Sequence, residues 1–276
     1  MSDAAHHAKS LLKELGVASL PVDPYAIARA IDIEVCEDDC GGYTGMILVV
    51  EGEALISVKS SLREDSRKRF TVAHELGHYR IPGHLLGENT VFRCMERDFD
   101  AFDKNGDKES EANEFAAELL MPESLFASRI WSKELSYELL RELLSEFNTS
   151  LTATARRFVK VSGDCALVCS EGSSIRWFVK GKNFPFYLRS AGKVSDDSVA
   201  IGFFEGGMLP RSFGHVPSHA WLDDHRQKGD ASVRELAVSI PYYNQVLSFL
   251  YVESDDEHYK DEYVGELDGC LKFRKR

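Results

Sequence analysis

The chain has 276 residues, 43% of them hydrophobic, and a formal net charge of −12. This length and apolar content allow a sizeable core and suit two domains, and the acidic balance argues against general binding to nucleic acids or anionic membranes. No apolar run of about 18 residues or more occurs, and the start, MSDAAHHAKS, has no basic segment leading into an apolar one. We therefore expect neither a transmembrane helix nor a signal peptide, and a cytoplasmic protein.

The six cysteines are too few and too scattered for a disulfide framework in a chain of this length. Cys36 with Cys40, and Cys165 with Cys169, each form a C-x3-C pair. Neither pair has the matching second half that a structural metal site requires. We expect ordinary thiols in a reducing compartment.

Helices and a small sheet are predicted for the N-terminal part. Residues 4–15 carry a leucine stripe and end at Gly16, a typical C-terminal stop, and a short helix is expected at Tyr25–Ala30. Three segments have the residue pattern of strands, and the last two, separated by Gly52, predict a β-hairpin. These segments are Ile31–Cys36, Met46–Val50 and Ala54–Val58.

An H-E-x-x-H pattern formed by His74, Glu75 and His78 lies within the stretch RFTVAHELGHY. Ser61 and Glu64 fit a capping box that opens a helix running through this pattern. On a helix the two histidines lie four residues apart on one face, so both imidazoles reach one ion, while Glu75 reaches a water on it. This spacing is typical of zinc peptidases, although an amphipathic core helix with two histidines has the same pattern.

The acidic stretch DFDAFDKNGD, residues 98–107, resembles a calcium loop only superficially. With its glycine at the sixth loop position, Ala101 and Ala112 occupy positions where carboxylates are required. We expect a solvated loop instead. It leads into a helix over residues 109–120, with Asp107 as N-cap and a stop at Met121-Pro122.

A catalytic zinc ion needs a third protein ligand, and two kinds of candidate compete. His84 has the metzincin spacing, but Ile81 stands where that pattern requires glycine. The helix at residues 109–120 offers a carboxylate, and its periodicity does not choose among its acids. If Glu109 binds the ion, Asn113, four residues on, lies on the same face and can orient a ligand. The competing acids of this helix are Glu109, Glu111 and Glu114.

The two motifs together resemble the ImmA/IrrE family of metallopeptidases: RFTVAHELGHY, and E-x-E-A-N-E-F-A-A-E-L-L-M-P at residues 109–122. The segments LLKELGV and LPVDPYAIA also resemble the opening of this family, and the resemblance extends over residues 8–160. It implies a zincin-like fold and one Zn²⁺ per chain, with Glu75 as general base and Asn113 beside the ligands. The ligands that it implies are His74, His78 and Glu109.

The resemblance further implies an endopeptidase that cleaves a specific protein, commonly a helix-turn-helix transcriptional repressor, and so derepresses genes under stress or in mobile elements. Tyr79 and His84 are the nearest candidates in sequence for stabilising the transition state or orienting a ligand. An alternative function is a non-proteolytic regulator that binds a repressor or antitoxin through a metallopeptidase-like fold.

A helix is predicted at Pro122–Trp131, and a helical pair at residues 137–161, where Ser150 caps the second helix. Helix, short turn and helix also describe a DNA-reading unit, and the second helix of the pair is basic. We prefer a helical hairpin that completes the peptidase domain, because the protein is acidic and carries no second basic element. Direct DNA binding is not expected. The basic residues are Arg156, Arg157 and Lys160.

We therefore predict an α+β protein with a zincin-like helical metallopeptidase domain and small sheet at residues 1–162. A smaller α+β or mostly-β domain follows at residues 163–276, with a sensing or docking role. Its expected strands are Cys165–Cys169, Ile175–Val179 and Ser198–Phe204, and Tyr242–Val252 forms a final strand or short helix. Its His215, His219, Asp223 and His225 are interpreted as loop or surface residues, and its basic tail, residues 272–276, as solvated.

Overall fold

The computed structural model describes residues 3–39, 41–86, 89–95, 108–223 and 231–254. Packing divides the chain into two units, Met1–Val161 and Ser162–Arg276. Both units combine helices with a sheet, which confirms the predicted α+β class. None of the helices in these ranges is long and apolar enough for a membrane crossing.

The first unit pairs a four-stranded sheet with helices on one face. Its elements, in chain order, are α1 (Asp3–Glu14), α2 (Pro24–Ala30), β1 (Ile33–Asp38), β2 (Gly45–Val50), β3 (Glu53–Lys59), α3 (Asp65–Arg80), β4 (Asn89–Cys94), α4 (Lys108–Leu120), α5 (Glu123–Ile130), α6 (Tyr137–Phe147) and α7 (Leu151–Ser162). The predicted helices and the β2–β3 hairpin agree with these bounds to within a few residues. The sequence pattern does not predict strand β4, because every second residue of this strand is exposed and the segment has little apolar character.

The sheet has the strand order β1-β3-β2-β4, with β1 parallel to β3 and the other pairs antiparallel. Its inner face packs on α3, where Ile47 and Ile56 are buried together with Val72 and Leu76 of the helix. The register pairs Gly45, at the start of β2, with Cys94, at the end of β4. This end of the sheet lies against the middle of α3.

Helix α3 is buried on all sides over most of its length, as expected of a helix packed between a sheet and other helices. Its contact with α4 is close because Gly77 has no side chain. A Cβ at this glycine would lie 3.2 Å from Cα of Ala112 and 3.2 Å from Cβ of Phe115. The predicted capping box is wrong: α3 begins at Asp65, and its N-cap residue, Glu64, makes no side-chain capping hydrogen bond.

Helices α6 and α7 form the predicted hairpin, turned by Asn148 in a left-handed conformation. The hydroxyl of Ser150 accepts a hydrogen bond from the backbone of Ala153 and so caps α7. The Arg157 guanidinium is buried and donates to Glu118 of α4, and Arg156 is also buried. These two arginines thus belong to the interior of the unit, not to a basic face.

The second unit contains a five-stranded antiparallel sheet with the order β6-β5-β9-β8-β7. Its elements are β5 (Ala166–Glu171), β6 (Ser174–Lys180), α8 (Ile201–Phe204), β7 (Gly214–Pro217), β8 (Ala231–Ile240) and β9 (Gln245–Ser254). The strand predicted at Ser198–Phe204 is wrong, because this segment includes α8. The buried carboxylate of Glu235 accepts hydrogen bonds from the backbone N–H groups of Val199 and Ala200, which precede this helix.

Several expectations concern residues outside the described ranges: the acidic loop at 98–107, the N-cap Asp107, His225 and the basic tail. His215 lies on β7, and His219 lies in an exposed turn beside Asp197, 2.8 Å from its carboxylate.

Candidate metal centre

Helix α3 brings the two histidines of the H-E-x-x-H pattern together. Both side chains are fully buried, and Nε2 of His74 lies 3.1 Å from Nε2 of His78. The four-residue spacing places both rings on one face of the helix, at the side where α4 packs. The pattern therefore folds into the helical geometry that the spacing predicted.

Helix α4 adds a carboxylate to this pair. Oε2 of Glu109 lies 3.1 Å from Nε2 of His74 and 3.6 Å from Nε2 of His78. The close packing at Gly77 puts the first turn of α4 within reach of both rings. Of the three acids that periodicity left open, Glu109 is the one at the histidines, whereas Glu114 forms an ion pair with Lys160.

A thiol, which the sequence analysis did not anticipate, completes the cluster. Sγ of Cys94 lies 3.6 Å from Nε2 of His78, and the donor atoms of the four residues all lie within 4.8 Å of one another. The signal available in the sequence was weak: Thr90, Phe92 and Cys94 alternate along β4 and so share the inner face of the sheet.

Asn113 fixes the orientation of the first histidine. Its Oδ1 lies 2.9 Å from Nδ1 of His74. An amide oxygen only accepts hydrogen bonds, so the Nδ1–H of His74 donates, and in the neutral ring Nε2 keeps its lone pair. A metal-binding histidine needs this tautomer when it binds through Nε2.

Two hydrogen-bonded side chains, His84 and Glu111, fix the orientation of the second histidine, His78. Nε2 of His84 lies 2.8 Å from Oε2 of Glu111, to which its N–H donates. Nδ1 of the neutral His84 ring then accepts from Nδ1–H of His78, 3.0 Å away. His84 therefore lies on the far side of the His78 ring from Glu109. The structure does not bring it into the donor cluster, although it was a candidate ligand.

Both Nε2 atoms consequently present lone pairs to each other and to the Glu109 carboxylate, an arrangement of acceptors that a cation stabilises. Burial lowers the pKa of His78 to about 4, which keeps this ring neutral at pH 7. Imidazole, carboxylate and thiol are the donors that zinc takes in proteins, so the residues fit a metal ion of this kind.

Glu75 lies beside the cluster but not in it. Its carboxylate is fully buried, and neither oxygen has a hydrogen-bond partner. Burial raises the pKa of this group to about 7, against the opposing effects of His74 and Cys94. Gly45 of β2 makes the space for it, because a Cβ at that position would lie 2.5 Å from Oε1 of Glu75.

Tyr79 packs against the hydrophobic core of the first unit, one residue beyond His78 on α3. It is partly buried there and was considered as a group that stabilises the transition state. A side chain one residue further along a helix points about 100° away, so Tyr79 faces a different side of α3 from His78.

Comparison with known proteins agrees with this geometry. Residues 28–159 match the family model of the IrrE N-terminal-like domain, Peptidase_M78. The match spans α3, β4 and α4 and thus every residue of the cluster, and it confirms the expected zincin-like fold. No curated protein matches the chain significantly. Residues 28–159 thus match an IrrE N-terminal-like domain, in agreement with the resemblance of this part of the chain to the ImmA/IrrE family of metallopeptidases.

Proposed function

We propose that the protein is a zinc-dependent endopeptidase in which His74, His78 and Glu109 hold the ion and Glu75 is the general base. The observation that carries this proposal is the convergence of two Nε2 atoms and a carboxylate oxygen beside a buried carboxylate without a partner. When bound, zinc acts as a Lewis acid on the scissile carbonyl and makes a water molecule acidic enough to lose its proton near neutral pH.

Glu75 has the properties that proton transfer requires. Its pKa of about 7 lies near the pH at which it would work, so the carboxylate takes a proton and gives it up again with little cost. We infer that Glu75 accepts the proton of the attacking water and passes it to the leaving amine.

The Nδ1 partners of the two histidines keep both rings in place. Asn113 holds His74, and Glu111 holds His78 through His84. Such partners fix the tautomer and the ring orientation, and removing one typically costs about 10- to 100-fold in metal affinity. They are positioning residues for the same reaction.

We propose that the substrate is a protein. The resemblance to the ImmA/IrrE family favours a helix-turn-helix transcriptional repressor as this substrate. The sheet offers a place for an extended segment of it. In the described part of the chain, β4 pairs with β2 along one edge, and no strand covers its other edge. A peptide that adds to this edge as a further strand would pass the end of β4, where the cluster lies.

The test is co-expression with a candidate helix-turn-helix repressor, followed by mass spectrometry of the repressor. The wild type is expected to cleave it at one site, and Glu75→Gln is expected to leave it intact. Glu114→Gln is the matched control, because it removes a carboxylate from the outer side of α4, where it pairs with Lys160. Repressor inactivation that persists in Glu75→Gln would instead support a regulator that acts by binding alone.

Metal analysis tests the ligand set separately. Purified His78→Ala and Glu109→Ala are expected to lose zinc, whereas His84→Ala is expected to retain it with weaker affinity. Zinc retained in Glu109→Ala but lost in His84→Ala would reverse the assignment of the third ligand.

A further inference from the structure

Cys94 is placed differently from the other described cysteines. It ends β4 on the inner face of the sheet and is fully buried. Its Sγ faces Nε2 of His78 at 3.6 Å and shares one cluster with the donor atoms of His74 and Glu109. By contrast, the buried thiol of Cys165, in the second unit, is 3.6 Å from a serine hydroxyl and belongs to no such cluster among the described residues.

Two distances in this cluster match those of a tetrahedral zinc site. With Zn–N of about 2.0 Å and Zn–S of about 2.3 Å, tetrahedral angles put two nitrogens about 3.3 Å apart and a nitrogen and a sulfur about 3.5 Å apart. The corresponding distances here are 3.1 Å, between the Nε2 atoms of His74 and His78, and 3.6 Å, from His78 to Cys94. The thiol therefore lies within reach of an ion held by His78 and its neighbours.

Glu75 lies at the same place. Its two oxygens are buried without a hydrogen-bond partner, next to Cys94 and to Gly45, the residue that pairs with Cys94 across the sheet. A buried carboxylate without a partner is costly unless a ligand completes its surroundings. The buried carboxylate and the thiol thus lie side by side at the donor cluster.

We propose that Cys94 is a fourth protein ligand of the metal ion and that its sulfur keeps the resting peptidase closed. Catalytic zinc sites use three protein ligands and leave one position for water, whereas four protein ligands are typical of closed, structural sites. On binding, the thiol releases its proton to solvent and the sulfur takes the position that the water needs. The ligand assignment stands on the cluster alone, and its inhibitory effect rests on the proposed peptidase function.

X-ray absorption at the zinc edge tests the ligand directly, on the full-length reduced protein loaded with one equivalent of zinc. The wild type is expected to show a Zn–S shell at about 2.3 Å beside nitrogen and oxygen at about 2.0–2.1 Å. Cys94→Ala is expected to lose the sulfur shell, and Cys165→Ala, the matched removal of a buried thiol, to keep it. A wild-type spectrum with nitrogen and oxygen alone overturns the proposal, and this result does not depend on whether any variant folds.

Cobalt substitution gives a second readout in solution. A sulfur-to-cobalt charge-transfer band is expected in the wild type and in Cys165→Ala, and its absence from the wild type would count against sulfur binding.

Cleavage of the repressor then tests the closed state: Cys94→Ala with zinc is expected to have a higher kcat than the wild type. Equal kcat values with the Zn–S shell present would refute closure. A Zn–S shell without cleavage by either protein would instead refute the peptidase function and leave the ligand in place.

Discussion

Gly45→Ala is the substitution for which the structure makes the sharpest prediction. Gly45 is buried at the start of β2, opposite the middle of α3. An added Cβ would lie 2.5 Å from Oε1 of Glu75 and 2.5 Å from Cγ2 of Thr71. Non-bonded carbon atoms pack at about 3.5–4.0 Å, so the new methyl group needs roughly 1 Å more than the site provides. Glycine is therefore required at this position because there is no room for a side chain, and not because of the backbone conformation.

The cost falls on two side chains with different freedom to move. Thr71 is short, buried and held by a hydrogen bond from its hydroxyl to the carbonyl of Arg67 at 3.0 Å. Glu75 is longer and has no hydrogen bond to hold its carboxylate, so it yields first. Overpacking of this kind costs about 1–3 kcal/mol in stability. A displacement of Glu75, the proposed general base, by about 1 Å is expected to lower kcat by about 100-fold, with a smaller effect on KM.

Denaturant unfolding of the metal-free protein and steady-state cleavage of the repressor measure the two effects. Gly202→Ala is the control, because the nearest atom to its added Cβ is Cδ2 of Leu209 at 4.0 Å. This control should keep the wild-type rate and change the free energy of unfolding by less than about 1 kcal/mol. A Gly45→Ala protein with wild-type stability and rate would refute the steric argument.

Three further predictions concern the same domain. His84→Ala should weaken zinc binding by about 10- to 100-fold in a chelator competition, because His78 loses the partner of its Nδ1–H; unchanged affinity would show that this partner is dispensable. In the metal-free protein, the pKa of Glu75 is about 7 in the folded state against 4.5 for an ordinary glutamate, so folding favours its protonated form. As the pH rises from about 4.5 to about 7, the wild type should therefore lose about 3 kcal/mol of unfolding free energy relative to Glu75→Gln. If the difference in unfolding free energy between the two proteins does not change with pH, the pKa of Glu75 is not raised. Arg157→Ala leaves the buried Glu118 carboxylate without its guanidinium partner and should lower the free energy of unfolding by about 3–5 kcal/mol. Lys160→Ala removes an exposed partner of Glu114 and should change the free energy of unfolding by less than about 1 kcal/mol. Equal effects of the two substitutions would show that the buried ion pair contributes no more to stability than the exposed one.

Local patterns predicted much of the first unit. The spacing of His74, Glu75 and His78 on one helix, the apolar face and proline stop of α4, and the β2–β3 hairpin all follow from the backbone periods of helix and strand. These features depend on residues a few positions apart, and that is the range over which side-chain periodicity carries information. Beyond this range the local pattern fails: residues 198–204 have the pattern of a strand, but Glu235 on a distant strand supports a short helix there.

The sequence by itself determined that two histidines and a glutamate share one helix and that a metal ion is their natural partner. Only the tertiary structure decided which other groups join them. Glu109 meets the histidines because Gly77 lets α4 approach α3 closely, and His84 lies behind His78 because the chain turns back there. Cys94 enters the cluster through the pairing of β4 with β2. The physical reason is that backbone periodicity fixes neighbours within one element, whereas the convergence of donors depends on packing between elements that are distant in sequence.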